Sequence, residues 1–367
     1  MVLRQVTIVG LGLIGGSYGL ALKRAKPELT VVGVDIDQES LDLGVSMKAI
    51  DWGTTDMARG VQEADVVIFA TLVKAMPGLL RAAAPHLKPG AVVTDVGSTK
   101  SKLVAELRPL LPPGVTYVGG HPMAGSEMKG IKGADPYLFE NAVYVLTPLP
   151  DADPAAVEVV QELVRAVGAQ VLLMSPEVHD QIVAAISHLP HVAAAALVNA
   201  VAKREQTLPG IFPLAAGGFR DATRIAGSSP EMWRDIFLDN RETLLPMIQC
   251  FREALTELEE AIRSEQGERV YRLLRQAQEL RSQIPAKQKG LLPGIHEVVV
   301  TVPDRPGEIG KLAALLGING INIMDIEILR IREGDGGTIR LGFATGEEAG
   351  RALKVLTNND YVAWLKS

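Results

Sequence analysis

The chain has 367 residues, more than a single hydrophobic core usually supports, so we expect two or three domains. Acidic residues number 43 against 37 lysines and arginines, and the net charge of −6 gives no general attraction to nucleic acid or to an anionic membrane. The single cysteine, Cys250, excludes a disulfide framework within the chain and a cysteine-rich zinc site.

Two features bear on where the protein works. The N-terminus leads directly into an apolar run, without the basic region, apolar stretch and cleavage site of a secretory signal. The most apolar helical stretch, residues 182–201, is interrupted by histidines, a proline and an asparagine, so we expect a buried helix rather than a membrane span. Together with the lone cysteine, these features favour the cytoplasm.

Short apolar runs alternate with helix-length amphipathic segments over the first part of the chain, which is typical of a parallel sheet with helical crossovers. The last two of these apolar runs flank a predicted helix at residues 154–167, and we expect them to extend the sheet. The predicted strands are residues 5–10, 30–35, 65–70, 91–95, 116–119, 142–147 and 170–173.

Residues 10–16 read GLGLIGG, at the end of the first predicted strand and the start of a helix. In a dinucleotide site, Gly10 makes the tight turn, Gly12 lets the backbone approach a pyrophosphate, and Gly15 allows the helix to pack closely on the strand. A glycine-rich turn without a ligand is the alternative. Because strand, glycines and helix agree in register, we predict a Rossmann-type NAD-binding domain over residues 1–174. Its predicted cofactor residues are Gly10, Gly12, Leu13, Ile14, Gly15, Asp35 and Thr71.

Asp35 ends the second predicted strand, where its carboxylate can accept hydrogen bonds from the hydroxyls of an adenosine ribose. The same negative charge repels the 2′-phosphate of NADP, so the sequence favours NAD. A solvated acid at a strand end is the alternative, and it is the more natural interpretation of nearby Asp37.

Ligands bind outside the carboxyl ends of the strands in an open parallel sheet. Besides Thr71, two such ends carry candidate side chains: Ser98 in the segment TDVGSTK and His121 in the segment GGHPMAGSE. Ser98 could instead simply cap a helix at residues 99–110.

His121 is the predicted catalytic base. Pro122 disfavours helical geometry at the preceding residue, so the imidazole projects from an extended strand end toward the nicotinamide position, and its glycine neighbours leave room for substrate. Oxidation of an alcohol needs a base for the hydroxyl proton as hydride leaves the carbon, and histidine titrates close to neutral pH. A strand-end histidine bonded to the backbone is the alternative.

Helical periodicity predicts an all-helical domain over residues 175–284. Within the segment SHLPH, Ser187 and His191 share a helix face, and Pro190 predicts a kink beside them. Polar groups in an apolar helix are costly without partners, so we predict a pocket wall, with a satisfied core histidine as the alternative. We predict no metal site, because no carboxylate or thiol stands at ligand spacing.

The segment GGFRDATRIA places Arg220 and Arg224 within about one helical turn of each other. The guanidinium group binds carboxylates through two parallel hydrogen bonds, so this pair suits an acidic substrate. An ion pair between Asp221 and Arg224 on a surface helix is the alternative.

Residues 285–294, PAKQKGLLPG, have the composition of a linker. The remaining residues, 295–367, predict the order strand, helix, strand, strand, helix, strand, which is a ferredoxin-like βαββαβ unit. The predicted elements before the short last strand are residues 297–302, 307–316, 321–332, 337–344 and 347–356.

The segments GLGLIGGS with Asp35, TDVGSTK, GGHPMAGSE, SHLPH and GGFRDATRIA, in this order, resemble the prephenate dehydrogenases of tyrosine biosynthesis. This resemblance implies NAD-dependent oxidative decarboxylation of prephenate, or of the related arogenate, by a homodimer. It implies that His121 deprotonates the ring hydroxyl and that Ser98 holds this hydroxyl and the nicotinamide. Arg224 would clamp a substrate carboxylate, and His191 favours prephenate over arogenate. Further substrate residues implied are Ser187, Glu127 as part of a gate, Arg220, and Trp233, which would reach the neighbouring subunit's site.

The segments VPDRPGEIGKL and NGINIMDI resemble an ACT domain, which implies a site for an amino acid at Asp304, Gly307 and Asn322. Tyrosine is the implied effector, and a purely dimerising role is the alternative. Two rival functions stay open at this point. A homoserine dehydrogenase does not require the segments GGHPMAG and SHLPH, and a non-catalytic sensor of NAD and an amino acid does not require Ser98, His121 and Arg224 together.

Overall fold

The computed structural model describes residues 3–125, 128–284, 296–303, 305–329 and 337–365. The chain forms two compact units, Met1–Gly290 and Leu291–Ser367. The predicted linker at residues 285–294, the predicted gate residue Glu127 and the predicted ligand residue Asp304 lie outside the described residues.

The first unit contains an eight-stranded sheet that includes all seven predicted strands. Its strands are β1 (Gln5–Val9), β2 (Thr30–Val34), β3 (Trp52–Thr54), β4 (Val66–Phe69), β5 (Val92–Asp95), β6 (Thr116–Pro122), β7 (Val143–Pro148) and β8 (Gln170–Leu173). They lie in the order β3-β2-β1-β4-β5-β6-β7-β8. The sequence did not predict β3, which is too short for hydrophobic alternation to indicate.

The last two strands depart from the purely parallel arrangement that the sequence predicts. Strands β1 to β6 run parallel, whereas β7 pairs antiparallel with β6, and β8 runs parallel to β7. The connection between β6 and β7, residues 123–142, contains no α-helix among its described residues. Without a helical crossover the chain re-enters the sheet at the edge where β6 ends, so β7 runs in the opposite direction.

Both faces of this sheet are packed. Along β4 every residue is buried, and successive side chains point to opposite faces. Val66 and Ile68 belong to one apolar cluster, while Val67 and Phe69 belong to a second cluster on the other face. This burial on both sides explains why the strands read as continuous apolar runs.

Twelve α-helices belong to the described part of the first unit. They are α1 (Leu13–Ala25), α2 (Gln38–Ser46), α3 (Met57–Val61), α4 (Met76–Ala83), α5 (Ser101–Leu107), α6 (Pro154–Ala166), α7 (Pro176–Val183), α8 (Leu189–Glu205), α9 (Gly217–Thr223), α10 (Pro230–Asp239), α11 (Arg241–Arg263) and α12 (Gly267–Gln283). The first six accompany the sheet, and the last six form the predicted all-helical region.

A π-helical turn, Ala184–His188, joins α7 to α8, so that Pro176–Glu205 is one helix of 30 residues. The turn just before Pro190, where the sequence predicts a kink, is thus wider than an α-helical turn. Among the described residues this is the one helix long and apolar enough to cross a membrane by length and composition. Only 28% of its most apolar window is buried within the chain, so the helix is less buried than predicted.

The second unit has the predicted βαββαβ order. Its elements are β9 (His296–Val302), α13 (Glu308–Ile318), β10 (Asp325–Leu329), β11 (Gly337–Phe343), α14 (Gly346–Thr357) and β12 (Val362–Leu365). The strands form an antiparallel sheet in the order β10-β11-β9-β12. The third predicted element begins at Asp325 rather than at residue 321, and its predicted end, residues 330–332, lies outside the described residues.

Candidate active site

The loop between β1 and α1 is built from backbone, and its three glycines have different surroundings. Gly10 has φ +96°, and a Cβ there would lie 2.7 Å from the carbonyl oxygen of Ala70. A Cβ on Gly15 would lie 1.9 Å from the carbonyl oxygen of Gly10, whereas a Cβ on Gly12 would meet no atom of a described residue within 4 Å. The geometry therefore matches a turn at Gly10, an open approach for a ligand at Gly12 and a close helix contact at Gly15, which are the roles that the sequence predicts.

The first turn of α1 suits an anion. Gly12 is its N-cap residue, and α1 begins without a hydrogen bond from a capping side chain. The first N–H groups of a helix lack partners within the helix and carry a partial positive charge, so a phosphate group stabilises them.

Asp35 holds the glycine-rich loop in place. Its carboxylate accepts the N–H of Leu11 at 2.7 Å and the N–H of Asp37 at 3.0 Å. Asp37 accepts the N–H groups of Glu39 and Ser40 and so caps α2, whereas the sequence indicated only a solvated acid at a strand end. The position of Asp35 beside the loop suits a ribose contact, and the carboxylate also has a structural role that the sequence did not indicate.

A cleft of about 600 Å³ lies between the carboxyl ends of the strands and α10. It brings together Gly12, Leu13, Ile14, Thr71 and Ser98 from the predicted set. The opposite wall includes Ser228, Ser229, Met232, Asp235 and Ile236. The hydroxyl oxygen of Thr71 is buried and has no hydrogen-bond partner among the described residues, which is the state expected of a group that binds a ligand.

His121 lies in β6 and is joined to α7 by a short series of hydrogen bonds. Its Nδ1 is 2.7 Å from Nε2 of His179, and Nδ1 of His179 is 2.8 Å from Oδ1 of Asp180. We call His121, His179 and Asp180 the His–His–Asp triad. His179 and Asp180 are 1% and 3% exposed, so two polar side chains of α7 are buried against the end of β6.

The electrostatic surroundings keep His121 neutral. Burial lowers its pKa well below the ordinary histidine value, and the nearby groups of His179, Lys100 and His188 act in the same direction. Burial would raise the pKa of Asp180, but hydrogen bonds from His179 and from two backbone N–H groups hold that pKa below its ordinary value. At neutral pH the triad therefore contains an ionised carboxylate and an uncharged His121.

The glycines before His121 do not leave room for substrate, contrary to the prediction. A Cβ on Gly119 would lie 2.4 Å from Oγ1 of Thr147, and a Cβ on Gly120 would lie 2.5 Å from the carbonyl oxygen of Asp95. The space beside both glycines is filled by β7 and by the end of β5. Their role is close strand packing.

Asp95 and Lys100 form a buried ion pair behind the loop that carries Ser98. The Asp95 carboxylate also accepts the N–H of Gly97 at 2.7 Å, the hydroxyl of Tyr117 at 2.7 Å and the N–H of Gly120 at 3.1 Å. Burial lowers the pKa of Lys100, while Asp95 acts against that shift. This network ties the Ser98 loop to the strand that carries His121.

Ser98 does not cap the helix that follows it. Helix α5 begins at Ser101, and no side chain of its N-cap residue, Lys100, forms a capping hydrogen bond. Instead the Asp180 carboxylate accepts the N–H groups of Lys100 and Ser101, both at 2.8 Å. Ser98 lines the cleft.

The sequence left open whether the SHLPH segment forms a pocket wall or contains a satisfied core histidine, and its two histidines differ in their surroundings. His188 is buried with its Nδ1 3.1 Å from Nδ2 of Asn240, so it is a satisfied core histidine. His191 stacks on Trp233 with ring centroids 3.7 Å apart, and its Nδ1 is buried without a partner among the described residues. Trp233 thus packs on its own chain, and half-buried Ser187 lies in the π-helical turn.

The two arginines are exposed, Arg220 in α9 and Arg224 in the turn after it. Neither lines the 600 Å³ cleft, and neither do His121 and His191. In the second unit, Gly307 has φ +90° and precedes α13, and Asn322 is exposed. No group of three or more histidine, cysteine or carboxylate residues in the described part of the chain is arranged to hold a metal ion.

Comparison with known proteins identifies the family. Residues 18–173 match the nucleotide-binding domain of prephenate dehydrogenase, and residues 175–276 match its dimerization domain. Prephenate dehydrogenase of Bacillus subtilis is 39% identical over 348 residues, which cover 95% of this chain and 94% of that protein. The chain belongs to the prephenate dehydrogenase family. It is an oxidoreductase, and residues 296–353 match the ACT domain.

Two solved structures of prephenate dehydrogenase relatives are similar to this chain. The A. aeolicus prephenate dehydrogenase, in complex with hydroxyphenyl propionate and NAD⁺, has a TM-score of 0.74 and 36% identity, and the match covers 78% of this chain and 99% of that one. Synechocystis arogenate dehydrogenase has a TM-score of 0.66 and 33% identity over 77% of this chain and 100% of its own.

Sequence reasoning missed four residues that the structure joins to the loop of Ser98 and to His121: Asp95, Lys100, His179 and Asp180. Asp95 and Lys100 stand inside the quoted segment TDVGSTK, where the Asp-to-Lys spacing was the available signal. His179 and Asp180 stand at the start of the family's dimerization domain, and their partners are far away in sequence. No local pattern marks them.

Proposed function

We propose that this chain catalyses the NAD-dependent oxidative decarboxylation of prephenate to 4-hydroxyphenylpyruvate. The observation that carries the proposal is the position of His121, hydrogen-bonded through Nδ1 to His179, at the carboxyl end of a sheet whose neighbouring strand ends line the cleft. The names of the relatives agree with this chemistry.

The residues of the cleft fit NAD. The uncapped N-terminus of α1, with open space at Gly12, would hold the pyrophosphate, and Asp35 would hold the adenosine ribose hydroxyls. The buried hydroxyl of Thr71 would supply a further polar contact. When bound, NAD supplies the hydride acceptor. Asp35 disfavours a 2′-phosphate, and the A. aeolicus relative crystallised with NAD⁺ supports the same choice.

The protein's own contribution is a base and several positioning groups. Nε2 of His121 takes the proton of the ring hydroxyl, and Ser98 orients that hydroxyl. Arg224 binds a substrate carboxylate, mainly to orient the ring, because the carboxylate that leaves as carbon dioxide must not be overstabilised. Loss of carbon dioxide makes the ring aromatic, so alignment is the main requirement. Ser187, His191, Arg220, Trp233 and the gate residue Glu127 complete the proposed substrate set.

The alternative substrate is arogenate, which carries an amino-acid side chain in place of the keto acid. The similarity to the Synechocystis arogenate dehydrogenase favours this alternative, whereas His191 favours prephenate. The test is the ratio of kcat/KM for prephenate and arogenate, followed by NADH absorbance, with homoserine as a third substrate. If none of the three substrates leads to formation of NADH, the proposed function is rejected in favour of a sensor.

We further propose a cytoplasmic homodimer. The long helix leaves large apolar side chains exposed, including Ile186 and Leu197, and α11 does the same with Leu245 and Leu255. A second copy that covers these side chains agrees with the matched dimerization domain. The same helix carries buried His179 and Asp180, which bond to the sheet region, and this argues against a membrane span. Sedimentation equilibrium that yields a monomer at micromolar concentration would reject the dimer.

We propose domains over residues 1–174, 175–284 and 295–367, with a linker at residues 285–294. The three matched ranges support these boundaries, and limited proteolysis should cut first within the linker.

We also propose that tyrosine binds the ACT unit near Asp304, Gly307 and Asn322. Titration of tyrosine into the full-length enzyme should release heat, and the Asn322→Ala substitution should weaken tyrosine binding. Absence of heat at millimolar tyrosine favours a purely dimerising role.

A further inference from the structure

We propose that Asp180 and His179 are positioning residues that set the tautomer of His121. In this arrangement Nδ1 of His121 carries the proton, and Nε2 carries the lone pair that accepts the substrate's hydroxyl proton. The proposal rests on the proposed function in one respect, namely that His121 is the base.

The argument begins at Asp180, the buried end of the triad. Its Oδ1 accepts the N–H of Lys100 and its Oδ2 accepts the N–H of Ser101, both at 2.8 Å. These two donors form the N-terminus of α5, where the helix dipole favours a negative charge. Hydrogen bonds of this kind favour the ionised form, and an ionised carboxylate can only accept hydrogen bonds.

The direction of the remaining hydrogen bonds follows from that ionisation. Because Asp180 only accepts, Nδ1 of His179 donates to it across 2.8 Å. In a neutral ring the other nitrogen, Nε2, then has a lone pair. The contact of 2.7 Å between this Nε2 and Nδ1 of His121 therefore has His121 as the donor. Nε2 of His121 is left unprotonated.

The reverse arrangement would disable the base. If His179 carried protons on both nitrogens, Nδ1 of His121 would accept, and its Nε2 would hold the proton. One proton on Nδ1 of His179 is enough to satisfy both of its contacts, at 2.8 Å to Asp180 and 2.7 Å to His121. The charged or titratable groups that act on His121 are Lys100 beside α5, His179 in α7 and His188 in the π-helical turn, and Lys100 itself is paired with Asp95.

The triad also has a role when the proton moves. The hydroxyl proton passes to Nε2 of His121, and the ring becomes an imidazolium that keeps its Nδ1–H. The positive charge then lies one hydrogen bond from His179 and two from the Asp180 carboxylate, which stabilises it. No proton needs to reach Asp180.

The kinetic test uses Asp180→Asn. An amide can donate to Nδ1 of His179, which would reverse both hydrogen bonds and place the proton of His121 on Nε2. We expect kcat with prephenate and NAD to fall by about 10²–10⁴-fold, with little change in KM or in NAD affinity. His179→Gln keeps an acceptor oxygen near the position of Nε2, so we expect it to retain kcat within about tenfold.

The matched control is Asp65→Asn. Asp65 is also a buried carboxylate that accepts two backbone N–H groups, those of Arg4 and Gln5 at 2.6 and 3.0 Å, and it pairs with Lys88. Its hydrogen-bond partners among the described residues include no histidine. We expect it to lose stability without losing kcat. If kcat of Asp180→Asn equals that of Asp65→Asn, the proposal is wrong.

A spectroscopic test does not depend on activity or on any variant of Asp180. Histidine ¹⁵N spectra of the wild-type enzyme, with the His121 signals assigned by their loss in His121→Asn, should show the proton on Nδ1 and an unprotonated Nε2. A proton on Nε2 overturns the proposal even if Asp180→Asn fails to fold. If the wild-type enzyme oxidises none of the candidate substrates, the proposed function fails, while the spectrum still decides the tautomer.

Discussion

The glycine-rich loop after β1 and the His–His–Asp triad lie in the same unit, and they are built in opposite ways. The loop is made of backbone groups from six consecutive residues, Gly10 to Gly15. The triad depends on side chains from β6 and α7, and its central hydrogen bond joins residues 58 positions apart. A site made from local backbone leaves a contiguous pattern in the sequence, whereas a site made from distant side chains does not.

The two regions should therefore fail in different ways. An added atom disrupts the loop, because its function depends on close approach. A removed or reversed hydrogen bond disrupts the triad, because its function depends on where one proton resides.

The largest effect should come from removing the base. His121→Asn leaves a polar side chain of smaller size in β6, so the fold and NAD affinity should be retained. We expect kcat to fall by about 10²–10⁴-fold, because proton transfer then lacks a positioned acceptor. Steady-state kinetics with prephenate and NAD binding by fluorescence measure the two quantities. Wild-type turnover in this variant would remove His121 from the mechanism.

The loop provides a contrasting pair of substitutions. A Cβ on Gly15 meets the Gly10 carbonyl oxygen at 1.9 Å, so Gly15→Ala should lower stability by about 1–3 kcal/mol and weaken NAD binding with it. The Cβ of Gly12→Ala meets no atom within 4 Å in the part of the chain that the structure describes, so this variant should fold normally and only its affinity for NAD should fall. Thermal melts with and without NAD separate the two outcomes. Equal melting temperatures for both variants without NAD would contradict the assigned roles.

Arg224→Ala should weaken substrate binding rather than impair proton transfer. Loss of a charge-assisted contact of about 1.5–3 kcal/mol should raise KM for prephenate by about 10–150-fold. Arg241→Ala is the control, since Arg241 is an exposed arginine of the same helical region that pairs with Glu242. A large fall in kcat with unchanged KM would count against a binding role for Arg224.

Asp35→Ser should change cofactor preference. Removing the carboxylate reduces repulsion of a 2′-phosphate, so the ratio of kcat/KM for NADP to that for NAD should rise by about 10–100-fold. Affinity for both cofactors should also fall, because the Leu11 N–H loses its charged acceptor. Asp37→Ser, which can still cap α2, should leave the ratio unchanged. An unchanged ratio in Asp35→Ser would refute the ribose contact.

The smallest effect concerns pH. The base works when neutral, and its lowered pKa keeps it neutral until the pH falls well below the ordinary histidine value of about 6.5. The acid limb of log kcat/KM should therefore have its midpoint below that value, with loss of activity as the pH decreases further. Melting curves at each pH exclude unfolding as the cause. A midpoint above the ordinary value would indicate that His121 is exposed to water or paired with an anion during turnover.

The sequence predicted the seven longer strands, the helical region and the βαββαβ unit, because periodicity and turn residues report on local structure. It did not predict β3, which spans three residues, or the reversed direction of β7, which depends on where the chain after β6 lies in space. Ser98 and His121 were identified as candidate functional residues by their places at strand ends. Asp180 was missed because a helix cap supplied from another segment has no signature at the helix it caps.

The cap on α5 also limits how this enzyme can be recombined with its relatives. A chimera joined at residue 174 would take β6 and α5 from one parent and α7 from the other. The α7 of the second parent would have to place a carboxylate and an imidazole within hydrogen-bond distance of α5 and of the histidine in β6. A junction placed after α8 keeps these partners from one parent. Protein engineers should therefore treat α7 and α8 as part of the nucleotide-binding module when they exchange domains.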